Sequence, residues 1–252
     1  MPEWVSFPAL FGVGLVAGAL NVVAGGGSFL TLPVLIFFGL PATVANATNR
    51  VGILTQNVAA VWGFHRYRVL AWRWAFAAAG PALVGAALGT WAALEVSDEA
   101  FRKILALLMV AITLWSLLDR SGARVREGEL PARPTRARLA ILAAGFFAVG
   151  IYGGFVQAGV GFLILAVTTF AGLDLVRGNA IKVTTALLFT GLSLAIFVWH
   201  DMVEWLPGLA LGAGNLLGGL AGVRLTVLKG HAWVKGVVTV TVIVFAVLLW
   251  VR

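Results

Sequence analysis

Two stretches of the sequence place an amide and a cation where they share one side of a helix. Asn46 and Arg50 are four residues apart, and Asn179 and Lys182 are three apart. Side chains at these spacings lie on a common helix face. Together the two groups offer hydrogen-bond donors and positive charge, which suits an oxyanion. The alternative is that both cations lie near a helix end and extend to water.

Both cations fall in long apolar stretches. An arginine or lysine deep in a membrane costs about 2.5–3.5 kcal/mol on insertion scales, and such residues usually mark function. Gln56 and Asn57 lie further along the segment that holds Arg50, where a buried amide either lines a pathway or bonds a neighbouring helix. The other polar candidates for this substrate-binding group are Thr48, Asn49 and Thr184.

Glycine-rich breaks interrupt the apolar sequence at residues 24–28 and 157–161. Glycine frees the backbone from the helix and lets it approach a ligand. Short helices that begin at Ser28 and Gly161 point free N–H groups at each break, and such N-termini attract anions. The alternative is tight helix packing or a plain loop. The candidate site residues of the two breaks are Gly25, Gly26, Gly27, Ser28, Gln157, Gly159 and Gly161.

Other chemistries find no support in the sequence. No Gly-x-Gly-x-x-Gly follows a strand, no phosphate-loop lysine is present, and Gly-x-Ser-x-Gly does not occur. The chain has no cysteine, and its three histidines are scattered. An intramembrane enzyme would need a nucleophile with a base or a metal cluster. We therefore predict no catalytic residues, no metal site and no cofactor.

Composition sets the class of protein. The 252 residues are 61% hydrophobic and 11% charged, with a mean hydropathy of +1.00, whereas soluble domains carry about 25% charged residues. The net charge of +8 does not indicate nucleic acid binding, because the basic residues lie in short loops beside apolar runs. We predict an all-α, multi-pass integral membrane protein in the lipid bilayer.

Ten apolar segments divide into two sets of five. They are residues 5–23, 29–38, 42–64, 74–94 and 101–118, followed by 139–156, 162–170, 175–199, 205–223 and 233–251. The charged stretch 119–138 contains Pro131 and Pro134 and reads as a linker. The predicted domains are a first membrane repeat at 1–118, this cytoplasmic linker, and a second membrane repeat at 139–252.

The two halves align at a constant offset of 133 residues. This offset pairs Asn46 with Asn179 and Trp72 with Trp205. Internal repeats of this kind are common in secondary transporters. The same offset also aligns helix faces made of small residues. These faces predict close helix packing, and they would allow a homodimer if they were exposed. The glycines of these faces are Gly85, Gly89, Gly214, Gly218 and Gly222.

Charge predicts the topology. The basic loops 65–73 and 224–235 and the linker are expected inside, and the acidic loops 95–99 and 201–204 outside. The loop after the third segment is then inside in the first half and outside in the second, so we predict inverted repeats. Each half would contain a glycine-broken, re-entrant hairpin plus three transmembrane helices. Two short tilted spans would satisfy the same charges.

At these residues the sequence resembles the TauE/SafE family of membrane anion transporters over nearly its whole length. The resemblance rests on Phe-Leu-Thr-Leu-Pro at 29–33, on residues 45–50, and on residues 152–162 and 177–182. Gly178 departs conservatively from the alanine expected by analogy with the first half. The resemblance implies a permease of a prokaryotic cytoplasmic membrane, in a family that includes exporters of sulfite and organosulfur anions.

We therefore expect a secondary transporter of a small anion, most simply sulfite or another sulfur oxyanion or sulfonate, working by alternating access between the repeats. Export is favoured because every Asp and Glu lies at a loop or segment end, which leaves no buried acidic proton carrier. A potential of 100 mV, negative inside, supplies about 2.3 kcal/mol per outward anionic charge. An anion channel and a membrane scaffold without transport are the alternatives.

Overall fold

The computed structural model describes residues 3–118 and 136–251, and all secondary structure in those ranges is α-helical. The helices are α1 Glu3–Val23, α2 Ser28–Phe37, α3 Ala42–Arg66, α4 Trp72–Leu94, α5 Asp98–Leu118, α6 Arg136–Phe155, α7 Val160–Phe170, α8 Leu175–Trp199 and α9 Trp205–Val251. Four of them contain stretches long and apolar enough to cross a membrane: Trp72–Leu94, Arg138–Phe155, Leu175–Trp199 and Trp205–Gly230. The predicted all-α membrane class is confirmed.

The helix boundaries differ from the predicted segments in two places. Most of the predicted linker, residues 119–135, lies outside the described residues, and its last residues are helical because α6 begins at Arg136. The last two predicted segments form the single element α9, which is interrupted at Gly230. Gly230 has φ 72° and ψ −169°, a backbone conformation that glycine adopts without steric cost.

The short helix α7 returns toward the side from which α6 started. A Cβ built on Gly172, just beyond α7, would lie 3.4 Å from Nη2 of Arg138 in the first turn of α6. This contact is the one that a re-entrant hairpin requires in the second half, and the hairpin of the first half stays a prediction. The inverted relation of the two halves stays a prediction.

Small residues let helices from different halves approach closely. The helix α1 packs on α9, and α4 packs on α6. Gly218 meets the backbone of Leu15, and Gly89 meets the backbone of Ile151, so a Cβ at either glycine would collide with backbone atoms. The predicted packing role of these glycine faces is confirmed. Because these glycine faces pack inside the molecule, they do not provide an exposed dimer surface. Homodimerisation stays a prediction, and these faces do not support it.

The helix α3 is polar in sequence and buried in the structure. Polar or charged side chains that are at most 2% exposed lie along much of its length: Asn46, Thr48, Asn49, Arg50, Gln56 and Asn57. Buried polar groups in a membrane protein are expensive unless they are hydrogen-bonded, and they commonly mark the functional region. The site is therefore built around α3 and its counterpart α8.

Candidate functional site

Arg50 is fully buried and reaches from α3 to the end of α6. Its Nη1 donates to the carbonyl oxygen of Gly153 at 3.0 Å and to Oε1 of Gln157 at 3.3 Å. Its Nη2 donates to the carbonyl oxygen of Gly154 at 2.6 Å. The guanidinium also lies over the ring of Phe197, 4.9 Å from its centroid. Arg50 therefore holds the last turn of α6 against α3.

Asn46 completes this contact one helical turn earlier. Its Nδ2 donates to the carbonyl oxygen of Phe155, the last residue of α6, at 2.9 Å. The amide and the cation thus bind three successive carbonyl groups, those of Gly153, Gly154 and Phe155. The shared helix face predicted from their spacing explains how both side chains reach the same helix end.

The second half repeats the arrangement at the end of α1. Nζ of Lys182 donates to the carbonyl oxygens of Asn21 and Val22, both at 2.8 Å, and to Oδ1 of Asn179. Nδ2 of Asn179 donates to the carbonyl oxygen of Val23, the last residue of α1, at 3.0 Å. Again three successive carbonyl groups at a helix end are bound by one amide and one cation.

These contacts have a common electrostatic effect. The last carbonyl groups of a helix lack intrahelical donors and carry the negative end of the helix dipole. Arg50 and Lys182 place positive charge against these ends inside the protein, where both side chains are buried. All three ammonium protons of Lys182 are used in this way, whereas Nε of Arg50 has no hydrogen-bond partner. Direct contact of either cation with a substrate stays a prediction.

The two glycine breaks touch each other. A Cβ built on Gly25 would lie 2.5 Å from the Cα of Gly161, well inside the usual separation of about 3.5–4.0 Å between carbon atoms. Gly25 also has φ 98°, in the region that favours glycine. Gly27 packs closely against Ala17 of α1, and Gly159 packs closely against the ring of Phe29. The breaks are therefore both tight packing points and interruptions of the helices.

The first turn of α2 is occupied by a side chain of α3. Oγ1 of Thr31 donates to Oδ1 of Asn49 at 2.7 Å, and Nδ2 of Asn49 donates to Oγ of Ser28 at 3.4 Å. The carbonyl oxygen of Gly26 accepts from the backbone N–H of Phe29. Asn49, Ser28 and Thr31 thus form a closed polar contact within the first half of the chain.

A small polar cavity lies beside the start of α7. Its volume is about 10 Å³, which is close to the least volume that holds one water molecule. Its lining comes from α1, α3, the α6–α7 break, α7 and α8, and includes Gln56, Gln157, Gly161 and Lys182. The structure therefore brings predicted residues from both halves to one cavity.

Eleven of the fifteen predicted site residues do not line this cavity, and Thr48 and Thr184 are two that bond elsewhere. Oγ1 of Thr48 accepts from the backbone N–H of Glu204 at 3.0 Å, at the loop before α9. Oγ1 of Thr184 donates to the carbonyl oxygen of Ala180 in its own helix at 2.9 Å. Neither residue lines the cavity, and their buried hydroxyl groups serve helix contacts in this structure.

Sequence reasoning missed Asn21 and Thr190, whereas Asn57 was noted beside Gln56 as a buried amide on a pathway or at a helix contact. Asn21 and Asn57 line the cavity, and Oγ1 of Thr190 accepts from Nε2 of Gln157 at 2.5 Å. Asn21 carried a usable signal, because it is a polar side chain in an apolar segment a few residues before a glycine break. Within the described ranges, no cluster of three or more potential metal ligands occurs.

Helices that end in pairs near a polar cavity between two halves are the architecture of secondary transporters. The sulfite exporter TauE/SafE family matches residues 10–249. The chain belongs to this family, as the sequence resemblance predicted. It is a multi-pass membrane transporter, and its family and relatives are transporters rather than enzymes.

Relatives cover most of the chain. A "probable membrane transporter protein YfcA" of Escherichia coli K12 is 30% identical over 96% of this chain and 88% of its own length. A "probable membrane transporter protein" of Haemophilus influenzae is 28% identical over 92% of this chain and 89% of its own. One from Sinorhizobium sp., ORF9, is 26% identical over 95% of this chain. No solved structure matches the chain.

Proposed function

We propose that the protein exports a small sulfur oxyanion, such as sulfite or a sulfonate, across the cell membrane by alternating access. The observation that carries this proposal is the pairing of Arg50 and Lys182 with the C-terminal ends of α6 and α1. Each break joins the negative end of one helix to the positive end of the next. With the negative ends neutralised, the positive N-terminal end of α7 faces the cavity.

Anion preference follows from this charge arrangement. The N-terminus of a helix offers backbone N–H groups and a favourable dipole to an anion. The lining of the cavity contains the cation Lys182 and uncharged amides. Sulfite is a family-level assignment that comes from the description of the family, and its chemistry fits a site with positive potential.

Alternating access fits the closed form of the cavity. A volume of about 10 Å³ holds at most about one water molecule, so a polyatomic anion requires the surrounding helices to separate. The close contact of Gly25 with Gly161 is the point at which the two breaks would part. We propose that residues 1–118 and 139–252 form inverted repeats that rock against each other around this contact, with the loops 65–73 and 224–235 in the cytoplasm.

The membrane potential supports export as the proposed direction of transport. A potential of 100 mV, negative inside, contributes about 2.3 kcal/mol per anionic charge, or roughly a 50-fold ratio across the membrane. Export of an anion therefore needs no coupling ion. Each described Asp or Glu lies outside the cavity lining, which agrees with transport driven by the potential alone.

The test is sulfite flux from purified protein in liposomes, with a potential imposed by a potassium gradient and valinomycin. We expect saturable flux that leaves the negative compartment and reverses when the polarity is reversed, with protein-free liposomes as the control. Unitary currents in a planar bilayer would identify a channel instead. Absence of flux for sulfite, sulfate, thiosulfate and a simple sulfonate at both polarities would refute the proposed substrate class.

A further inference from the structure

We propose that the protein has one anion site, held between the N-terminus of α7 and the side-chain amide of Asn57, rather than equivalent sites at both breaks. This proposal rests on the proposed function, because it locates the substrate of that function. It makes Asn57 a specificity-determining residue. It follows from three features of the cavity: an unpaired donor, a shortage of free acceptors, and a difference between the two breaks.

The unpaired donor is the amide nitrogen of Asn57. Asn57 is 2% exposed, and its Nδ2 has no hydrogen-bond partner. Its Oδ1 accepts from Nε2 of Gln56 at 3.3 Å, and Oε1 of Gln56 accepts from Nδ2 of Asn21 at 3.2 Å. In this chain the oxygens of Gln56 and Asn57 each accept from the preceding amide, and an unpaired donor is left at the far end. Since buried polar groups are nearly always paired, an unpaired amide in a cavity lining points to a ligand that accepts hydrogen bonds.

Three of the four amide oxygens in the cavity lining already accept hydrogen bonds. Oε1 of Gln157 accepts from Arg50, and the side-chain oxygens of Gln56 and Asn57 accept from neighbouring amides. The amide nitrogen of Gln157 donates to Thr190. A cation entering this cavity would meet the positive charge of Lys182 and mostly engaged amide oxygens, whereas an oxyanion would meet the unpaired N–H groups of Asn57. The arrangement thus selects a ligand that carries several acceptor oxygens.

The two breaks differ in what faces them. Val160 and Gly161 at the start of α7 line the cavity together with Asn57. No residue at the equivalent start of α2 lines the cavity, and its Ser28 and Thr31 side chains are bonded to Asn49. One helix N-terminus therefore lines the cavity together with an unpaired donor, and the other does not. This difference leads to one site and not two.

The experiment compares sulfite transport by Asn57→Leu, Asn57→Asp and Thr226→Val in liposomes. The leucine variant removes the donor at similar volume, and the aspartate variant replaces it with an acceptor of the same shape. Thr226 is the matched control, because its buried hydroxyl is also unpaired but does not line the cavity. We expect the KM for sulfite to rise about 10- to 100-fold in Asn57→Leu, the range for losing a hydrogen bond to a charged group, with Vmax changed less. Thr226→Val should stay within about twofold, as a substitution remote from the ligand.

A binding measurement separates this proposal from the proposed function. Sulfite should raise the thermal unfolding midpoint of the wild-type protein in detergent, because a ligand that binds the folded state stabilises it. Asn57→Leu should need about 10- to 100-fold more sulfite for the same shift, and Asn57→Asp should show none. Unchanged KM and unchanged sulfite stabilisation in folded Asn57 variants would overturn the site, while leaving transport intact. Stabilisation without flux would retain the site and refute the transport proposal.

Discussion

Replacing Arg50 with methionine tests the idea that a cation holds the end of α6. The substitution removes three hydrogen bonds, to Gly153, Gly154 and Gln157, and the contact with the ring of Phe197. Hydrogen bonds in membrane proteins contribute about 0.6–1.7 kcal/mol each, so the loss amounts to about 2–5 kcal/mol. This is a large share of a typical folding free energy of about 5–15 kcal/mol.

The assay is thermal unfolding of purified variants in detergent, followed by intrinsic tryptophan fluorescence. A loss of this size should lower the midpoint by about 4–20 °C. Arg50→Lys should fall between wild type and Arg50→Met, because an ammonium keeps the charge but lacks the planar fork that binds two carbonyl groups. The matched control is Arg66→Met in the same helix, where the exposed guanidinium lies near Trp62 and removal should change little. If Arg50→Met unfolded within 2 °C of Arg66→Met (about 0.5–1 kcal/mol), the capping role would be refuted.

Two further substitutions probe the break and the start of α8. Gly161→Ala should destabilise the protein by about 1–3 kcal/mol through overpacking against Gly25. The control is Gly80→Ala, which should stabilise helix α4 slightly because a Cβ there meets nothing within 4 Å. Equal thermal unfolding midpoints for the two variants would contradict the close contact of the breaks. Asp174→Ala should cost about 0.5–2 kcal/mol, because the Asp174 carboxylate accepts from the backbone N–H groups of Val176 and Arg177 at the start of α8. Asp174→Asn should retain most of this stability, and a loss as large as that of the alanine variant would argue against the cap.

The positions of the chemically important residues followed from the sequence, but their partners did not. The spacing of Asn46 and Arg50 correctly indicated two donors on one helix face. It did not indicate that these donors bind the end of α6, because that helix is about a hundred residues away in the chain. Asn57 shows the same limit, since its unpaired amide becomes visible only when the bonds of Gln56 and Asn21 are known.

By itself, the sequence determined the membrane class, the breaks at residues 24–28 and 157–161, and the family, since each depends on local composition or on a contiguous motif. The tertiary structure decided which break opens on the cavity and which is bonded to Asn49. It also decided that glycine faces such as that of Gly89 are consumed by contacts inside the molecule. These outcomes depend on which helices pack together. Hydropathy carries little information on that choice, because lipid tails and apolar helix faces are chemically alike.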